Sequence, residues 1–303
     1  MSKSFTLIEI LVVIVVIGIL SSFIIIGLSS VSDKANIAKG QVFLNSLDNS
    51  LLMARVSSWK LDEGTGNTTV DSWGNNTGIL GTSTVGDAAE PTWTDDCISN
   101  NCLFFDGEDD YVGILHNSDL KPVTAITFGG WAYSTNWESI TDERLLSCTE
   151  SGGYNISFNG DSANRIVAIR RNGAYGFITY SLTSLSNGWH YFLGTYDGRY
   201  AKGYIDSIQV GNINDAGAIY DIQYNVNNSL IVGAESGSGI NAVGGYFQGK
   251  IDDIRIYNQV ISSFKIKNNY FIGLNHLFKN NKITLNEFNQ RVVELKSNLT
   301  QGL

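Results

Sequence analysis

The chain has 303 residues, enough for one large or two modest domains beyond an anchor. Its formal net charge is -9, only 16% of its residues are charged, and no run of five or more basic residues occurs, which argues against a nucleic-acid partner. Glycine (32) and tyrosine (14) are abundant, the composition of short strands joined by tight turns.

The leader Met1-Ser-Lys-Ser4 carries one charge, and Phe5-Thr-Leu-Ile-Glu9 opens an apolar run from Ile10 to Leu28. That run is about the 20 residues a helix needs to cross a hydrocarbon core. A carboxylate near its start costs about 2.5–3.5 kcal/mol on insertion, so Glu9 calls for a cationic partner. An ordinary secretory signal is cut after its apolar core, but no A-x-A-like site follows Leu28. Cutting between Ser4 and Phe5 would keep the apolar segment and create an α-amino group at Phe5. Glu9 lies one helical turn further on, on the same face, so this amine can pair with Glu9 of its own chain or of a neighbour.

Ser-Phe-Thr-Leu-Ile-Glu followed by an Ile/Val/Leu run resembles the class III signal of type IV pilins and type II secretion pseudopilins. The resemblance implies that a prepilin peptidase cuts after Ser4 and methylates the new amine of Phe5. It also implies that Glu9 pairs with the amine of an adjacent subunit in a growing filament. The chain departs from the family in two ways. The family favours Gly where this chain has Ser4, which implies slower processing. Many pilins also carry a helix-breaking Pro here, whereas the only prolines of this chain are Pro91 and Pro122. Past Leu28, Ile37, Leu44, Leu47 and Leu51 fall near helical spacing. A single helix from Phe5 to Met53 would be about 70 Å long, which suits a filament spine.

Among the three cysteines, Cys97 and Cys102 are separated by Ile98-Ser-Asn-Asn101 and read as a small-loop disulfide of an exported domain. Cys148 is left over and reads as buried and inert, although sequence leaves pairings through it open. From about Trp59 to Gln259 the pattern is strand and turn. Thr195-Tyr-Asp197-Gly198-Arg199 and Gly203-Tyr-Ile-Asp206-Ser207-Ile read as successive hairpins, and Asn172-Gly173 and Asn187-Gly188 are further turn signals. The expectation is a mainly β chain built on a two-sheet sandwich.

Four ordered segments look like a laminin-G-like domain of the concanavalin A superfamily. They are Trp59-Lys-Leu-Asp-Glu63-Gly-Thr-Gly66 leading into Val70-Asp71-Ser-Trp-Gly74, then Leu103-Phe-Phe-Asp106-Gly-Glu-Asp109-Asp110-Tyr111, then Gly188-Trp189-His190 through Gly198, and Gly249-Lys-Ile-Asp252-Asp253-Ile-Arg255-Ile-Tyr257. The resemblance implies a jelly roll that binds glycans or proteins, often with a structural calcium ion. A hard cation wants six to eight oxygens, and Asp109, Asp110, Asp252 and Asp253 are the candidate ligands, with Asp71, Asn75 and Asp106 close in pattern. Loop-tip aromatics Trp93, Trp137, Tyr154 and Tyr175 are the candidate ligand-binding residues, with Asn136 and Asn155 beside two of them.

The superfamily also contains glycoside hydrolases, which need two carboxylates about 5–9 Å apart. No Glu-x-Asp-x-Glu pattern lies on an apolar strand, and none of His116, His190 and His276 sits in a nucleophile-elbow context. The expectation is that the chain is not an enzyme and has no catalytic residues.

From Ser262 the apolar residues Phe264, Tyr270, Phe271, Leu274, Leu277 and Phe278 recur at helical spacing. Thr284-Leu-Asn-Glu287 has the form of a capping box, followed by Phe288, Val292, Leu295 and Leu299. The tail therefore reads as a helical hairpin, either an interaction module, since it is similar to SHOCT-like domains, or a hairpin that packs on the sandwich. The expected domains are a leader at 1–4, a hydrophobic then amphipathic helix at 5–56, the sandwich at 57–260 and the hairpin at 261–303. The expected function is a pilus-like or pseudopilus subunit displaying a lectin-like head. Its expected partners are other pilin subunits, the prepilin peptidase, the inner membrane, and a glycan or surface protein. It would be inserted in the membrane first and later reach the cell surface. The alternatives are an anchored lectin that does not polymerise and, behind it, an anchored glycan-cleaving enzyme.

Overall fold

The computed structural model describes residues 54–83, 86–149, 152–160, 163–214 and 218–300. Ser4, Phe5, Glu9 and the helix expected at the N-terminus lie outside them. Arg55 and Val56, assigned to that helix by sequence, begin the first strand instead.

In chain order the strands are β1 (Arg55–Trp59), β2 (Thr68–Thr69), β3 (Gly78–Leu80), β4 (Thr92–Thr94), β5 (Cys102–Asp106) and β6 (Val112–Ile114). The central strands are β7 (Ile126–Ser134), β8 (Glu143–Ser147), β9 (Tyr154–Gly160), β10 (Arg165–Arg171) and β11 (Ala174–Thr179). Then come β12 (Gly188–Tyr196), β13 (Tyr200–Ile205), β14 (Ile208–Asn214), β15 (Leu230–Val232) and β16 (Gln248–Tyr257). Two helices close the chain, α1 (Ser263–Lys279) and α2 (Leu285–Thr300).

The strands form two antiparallel sheets. One runs β14-β13-β12-β7-β16-β5-β4, with β1 also paired to β16, and the other runs β11-β10-β9-β8-β15-β6-β3-β2. The first and last strands are therefore neighbours, with Trp59 opposite Ile254. The turns are the ones the sequence announces. Asp197 Oδ1 accepts from the backbone N–H groups of Arg199 and Tyr200 and shapes the β12–β13 loop. Asp206 and Ser207, both at positive φ, make the two-residue β13–β14 turn, and Asn172-Gly173 does the same between β10 and β11.

Alternation along each strand sends one side chain in two to the core. Phe128 of β7, Phe158 of β9, Phe192 and Tyr196 of β12, and Ile251, Ile254 and Ile256 of β16 fill the space between the sheets. β7 and β12 are buried almost throughout, which a two-layer sandwich does not require. The reason is α1. Its Tyr270 ring stacks on Trp131 of β7 at 5.5 Å and faces Tyr191 of β12 at 6.5 Å, so the helix covers the outer face of the first sheet.

Both helices start as their sequences predict. Ser262 Oγ accepts from Lys265 N, and Thr284 Oγ1 accepts from Glu287 N. The buried face of α1 is Ile266, Tyr270, Gly273, Leu274 and Leu277, while Phe264 and Phe271 face outward. In α2, Phe288, Val292 and Leu295 are only half-buried, and the buried residue is Arg291. Among the described residues no helix is long and apolar enough to cross a membrane.

Candidate binding sites of the head

Cys97 and Cys102 form a disulfide in the loop before β5. Cys148 is a free, buried thiol, and burial pushes it up to about 12, so it carries no thiolate at neutral pH. The disulfide loop also anchors the hairpin. Asn280 Nδ2 donates to Ile98 O at 2.9 Å, and the Asp96 carboxylate takes both Lys250 and Lys282, the latter at 2.8 Å.

The acidic candidates divide between two places. Asp106, Asp109 and Asp110 bring one carboxylate oxygen each within 4.8 Å of one another. Asp110 is buried, and burial with Asp106 and Asp109 alongside pushes it up to about 6. Three hard oxygen donors around an under-compensated carboxyl fit a divalent cation of the calcium type. Asp252 and Asp253 do not join them. A bulge in β16, with Asp253 at positive φ, separates these two side chains. Asp253 is clamped by Arg255 through two bonds of 2.8 and 2.6 Å, so its oxygens are already matched by a guanidinium. Asp252 accepts from Ile98 N inside the protein. Burial, with Asp253 and Asp62 nearby, pushes it well above the usual carboxylate range. Buried and already accepting from the backbone, it is poorly placed to hold a cation.

The four candidate aromatics do not share a surface. Trp137 and Tyr154 are fully buried, so neither can meet a ligand. Trp137 packs against Phe158 and Phe192 and donates its indole N–H to Gly188 O. Tyr154 donates to Leu120 O. Their polar groups satisfy core backbone, which is why Trp and Tyr can sit there. Trp93 is half-buried on β4 of the first sheet and donates to Gly66 O. Tyr175 is on β11, at the edge of the second sheet, where its ring stacks with Phe177 at 6.0 Å. Arg170 lies over Tyr175 and Arg165 over Phe177, at 5.1 and 3.8 Å from the ring centroids. Asn155 is buried and Asn136 exposed.

One polar centre escaped the sequence reading. His190 of β12 has Nδ1 2.6 Å from Asp206 Oδ2 and Nε2 2.8 Å from Ser186 O. Ser186 Oγ is 3.4 Å from the same Nε2, so serine, histidine and aspartate stand in the order of a catalytic relay. The hydrogen bonds argue against a relay. Nε2 lies closer to the Ser186 carbonyl oxygen, an acceptor only, than to Oγ, so it is aimed at the backbone and not at the hydroxyl a base would have to deprotonate. Arg291 of α2 completes the centre, donating NH1 to Trp189 O and pairing NH2 with Glu287 at 2.8 Å. Burial pushes Asp206 up, but the His190 ring and the Arg291 guanidinium outweigh it and hold the carboxyl below its ordinary value. A cleft opens over this centre between α2 and the β13–β14 side of the sandwich. The sequence signal that could have shown it is an arginine set between Phe288 and Leu295 of the α2 apolar stripe.

Residues 106–267 match the model of the concanavalin A-like lectin/glucanases superfamily, more than half of the chain. The chain belongs to that superfamily. Residues 1–25 match the prokaryotic N-terminal methylation motif, the type IV pilin signal. No curated protein matches the chain. Among solved structures, this concanavalin A-like chain is similar to the binding domain of Paraclostridial Mosquitocidal Protein 1. The TM-score is 0.54 and the identity 14%, over 74% of this chain and 53% of the other. It is also similar to the receptor binding domain of botulinum neurotoxin mosaic serotype C/D, with TM-score 0.52 and identity 16%, over 73% and 51% of the two chains. The botulinum neurotoxin serotype G binding domain gives TM-score 0.51 and identity 17% over the same shares. The chain spans about half the length of each, and at these identities the likeness shows the concanavalin A-like fold alone.

Proposed function

We propose that the chain is a non-catalytic subunit of a type IV pilus-like or pseudopilus filament, and that its head binds a glycan or a surface protein. The observation that carries this reading is the union, in one chain, of a methylation motif at residues 1–25 and a lectin-like domain at residues 106–267. Glu9 supports the filament part. A carboxylate in an apolar segment needs a cation, and the freed amine of Phe5 on a neighbouring subunit supplies one. The binding part is supported by the fold and by the description of the similar structures as binding or receptor-binding domains. The placing of His190 Nε2 against the Ser186 carbonyl oxygen, rather than its hydroxyl, supports the non-catalytic part. In this reading a calcium ion, held by Asp106, Asp109 and Asp110, stiffens the turn between β5 and β6. The protein enters the membrane through its N-terminal segment and is then drawn into a filament at the cell surface.

The test is mass spectrometry of the mature N-terminus together with isolation of filaments. The expected result is N-methyl-Phe5, with the protein present in sheared filaments and Glu9→Ala absent from them. An intact Met1 overturns the reading. A Glu9→Ala chain that behaves as wild type, with filaments lacking the protein, would favour an anchored lectin that does not polymerise.

A further inference from the structure

The cleft between α2 and the sandwich has two adjoining lobes of about 420 and 300 Å³, and Asn187 and Glu287 line both. Each lobe falls within the about 300–1,000 Å³ of small-molecule sites. The walls differ in chemistry. On the sandwich side the larger lobe sets an apolar patch of Leu185, Ile208 and Val210 beside the His190–Asp206 pair. The smaller lobe has Tyr133 and Trp189, with ring centroids 5.6 Å apart. The opposite side and the rim carry exposed hydroxyl and amide groups from Ser184, Asn187 and Gln290. Gln290 Nε2 donates to Glu294 Oε1 at 3.0 Å, which fixes the amide with its carbonyl as an acceptor.

Most of the charges in the cleft are matched internally. Asp206 is held by His190, and Glu287 by Arg291. These pairs leave little to attract a cation, while the Glu294 carboxylate disfavours an anion. The ligand that matches an apolar wall, a hydroxyl-and-amide wall and near-neutral charge is a chain of uncharged sugar rings, whose C–H faces are apolar and whose edges donate and accept. Two lobes call for two or more rings. The α2 wall lies beyond the residues matched to the superfamily, so the cleft is an addition to the shared domain.

We infer that this two-lobed cleft is the binding site for an uncharged oligosaccharide. The inference rests on the proposed glycan-binding role of the head and gives that role a place and a ligand class.

The experiment applies the full chain in detergent to an array of uncharged, sialylated and sulfated oligosaccharides and of peptides. Gln290→Trp, at an exposed helix position, fills the larger lobe, and Asn187→Ala removes the amide shared by both. Unchanged melting temperatures show that both variants fold. The expected result is retention of uncharged oligosaccharides by the wild type, weakened at least tenfold in each variant and unchanged in Phe177→Ala. If both variants bind as wild type while Phe177→Ala loses binding, the head is a lectin but its site is the β11 edge, and the cleft assignment fails alone. A preference for anionic glycans, or retention of peptides only, also overturns it. No retention of any glycan overturns the glycan reading of the head together with the cleft.

Discussion

Gly273 of α1 lies so close to Trp131 of β7 that a Cβ built on it would come within 2.4 Å of the indole Cζ2. Glycine in a helix interior costs about 1 kcal/mol relative to alanine, so its presence here is explained by approach rather than propensity. Without a side chain at this position the helix can sink onto the ring, and Tyr270 one turn earlier can stack on it. Trp131 is itself buried and has nowhere to move.

Gly273→Leu should therefore lift the hairpin from the sheet. Overpacking of a filled core costs about 1–3 kcal/mol, more than any gain in helix propensity returns. Gly273→Ala should cost less, because its propensity gain offsets part of the clash. Equilibrium urea unfolding of the full chain in detergent checks both. A leucine variant as stable as wild type would show that α1 is not seated as described.

The Cys97–Cys102 bond closes a small loop, for which loop entropy gives about 2 kcal/mol. The same loop holds Asp96 against Lys250 and Lys282, and Ile98 O against Asn280. A Cys97→Ser, Cys102→Ser double variant should lose about that much stability. It should also open the Asn280–Thr284 turn to protease before the sandwich unfolds. Limited proteolysis followed over time, beside a thermal melt, separates the two effects. Equal melting and equal cleavage would contradict the anchoring role of the loop.

These features differ in how far they can be read from sequence. The cysteine spacing, the Asp197-Gly198 and Asn172-Gly173 turns, and the Ser262 and Thr284 caps are local, and each depends on residues within one turn of chain. The two-sheet sandwich follows from strand alternation and turn spacing. The mistakes are long-range. Trp137 and Tyr154 resemble loop-tip aromatics, but Trp137 lies in a short helical turn folded under the sheets and Tyr154 opens a buried strand. Asp252 and Asp253 read as a pair, and the bulge in β16 that sends one inward and gives the other to Arg255 leaves no local mark. The influence of the Arg291 charge on Asp206 depends on where α2 docks, which no local pattern encodes.

Asp110 links the acidic turn to a measurable pH response. Its carboxyl is raised to about 6 in the folded protein, against about 3.9 when unfolded. Between these values the unfolded chain releases a proton that the folded chain retains. In chelator, the wild type should therefore lose stability as pH rises from about 4 to 6 and then level off, and Asp110→Asn should show no such step. A cation bound there reverses the penalty. At neutral pH, calcium at 100 times its dissociation constant should add about 2.7 kcal/mol, and the gain should shrink at pH 5, where Asp110 is protonated. Calorimetric scans with calcium and with chelator, on both proteins, provide the check. A calcium response that survives in Asp110→Asn would place the ion elsewhere.

The His190–Asp206 pair has the opposite sign. Asp206 is held below its ordinary value, so its contribution is fully present above the unfolded value of about 3.9 and is lost as pH falls through the lower folded value. Replacing one member of a buried pair costs about 3–5 kcal/mol, because the other charge stays buried without its partner. Asp206→Asn should fall toward the lower end of that range, since Asp206 is partly open to the cleft. The amide would still offer a carbonyl oxygen to His190 Nδ1, so the geometry can persist while the charge is lost. What is lost is the negative charge that sits beside His190 and Arg291. The wild type should therefore lose stability as pH falls below about 3.9, whereas the variant should lack that step. Urea unfolding from pH 3 to pH 9, in about one-unit steps, distinguishes the two curves. Parallel curves for the two proteins would mean that the fold does not hold the Asp206 carboxyl below its ordinary value.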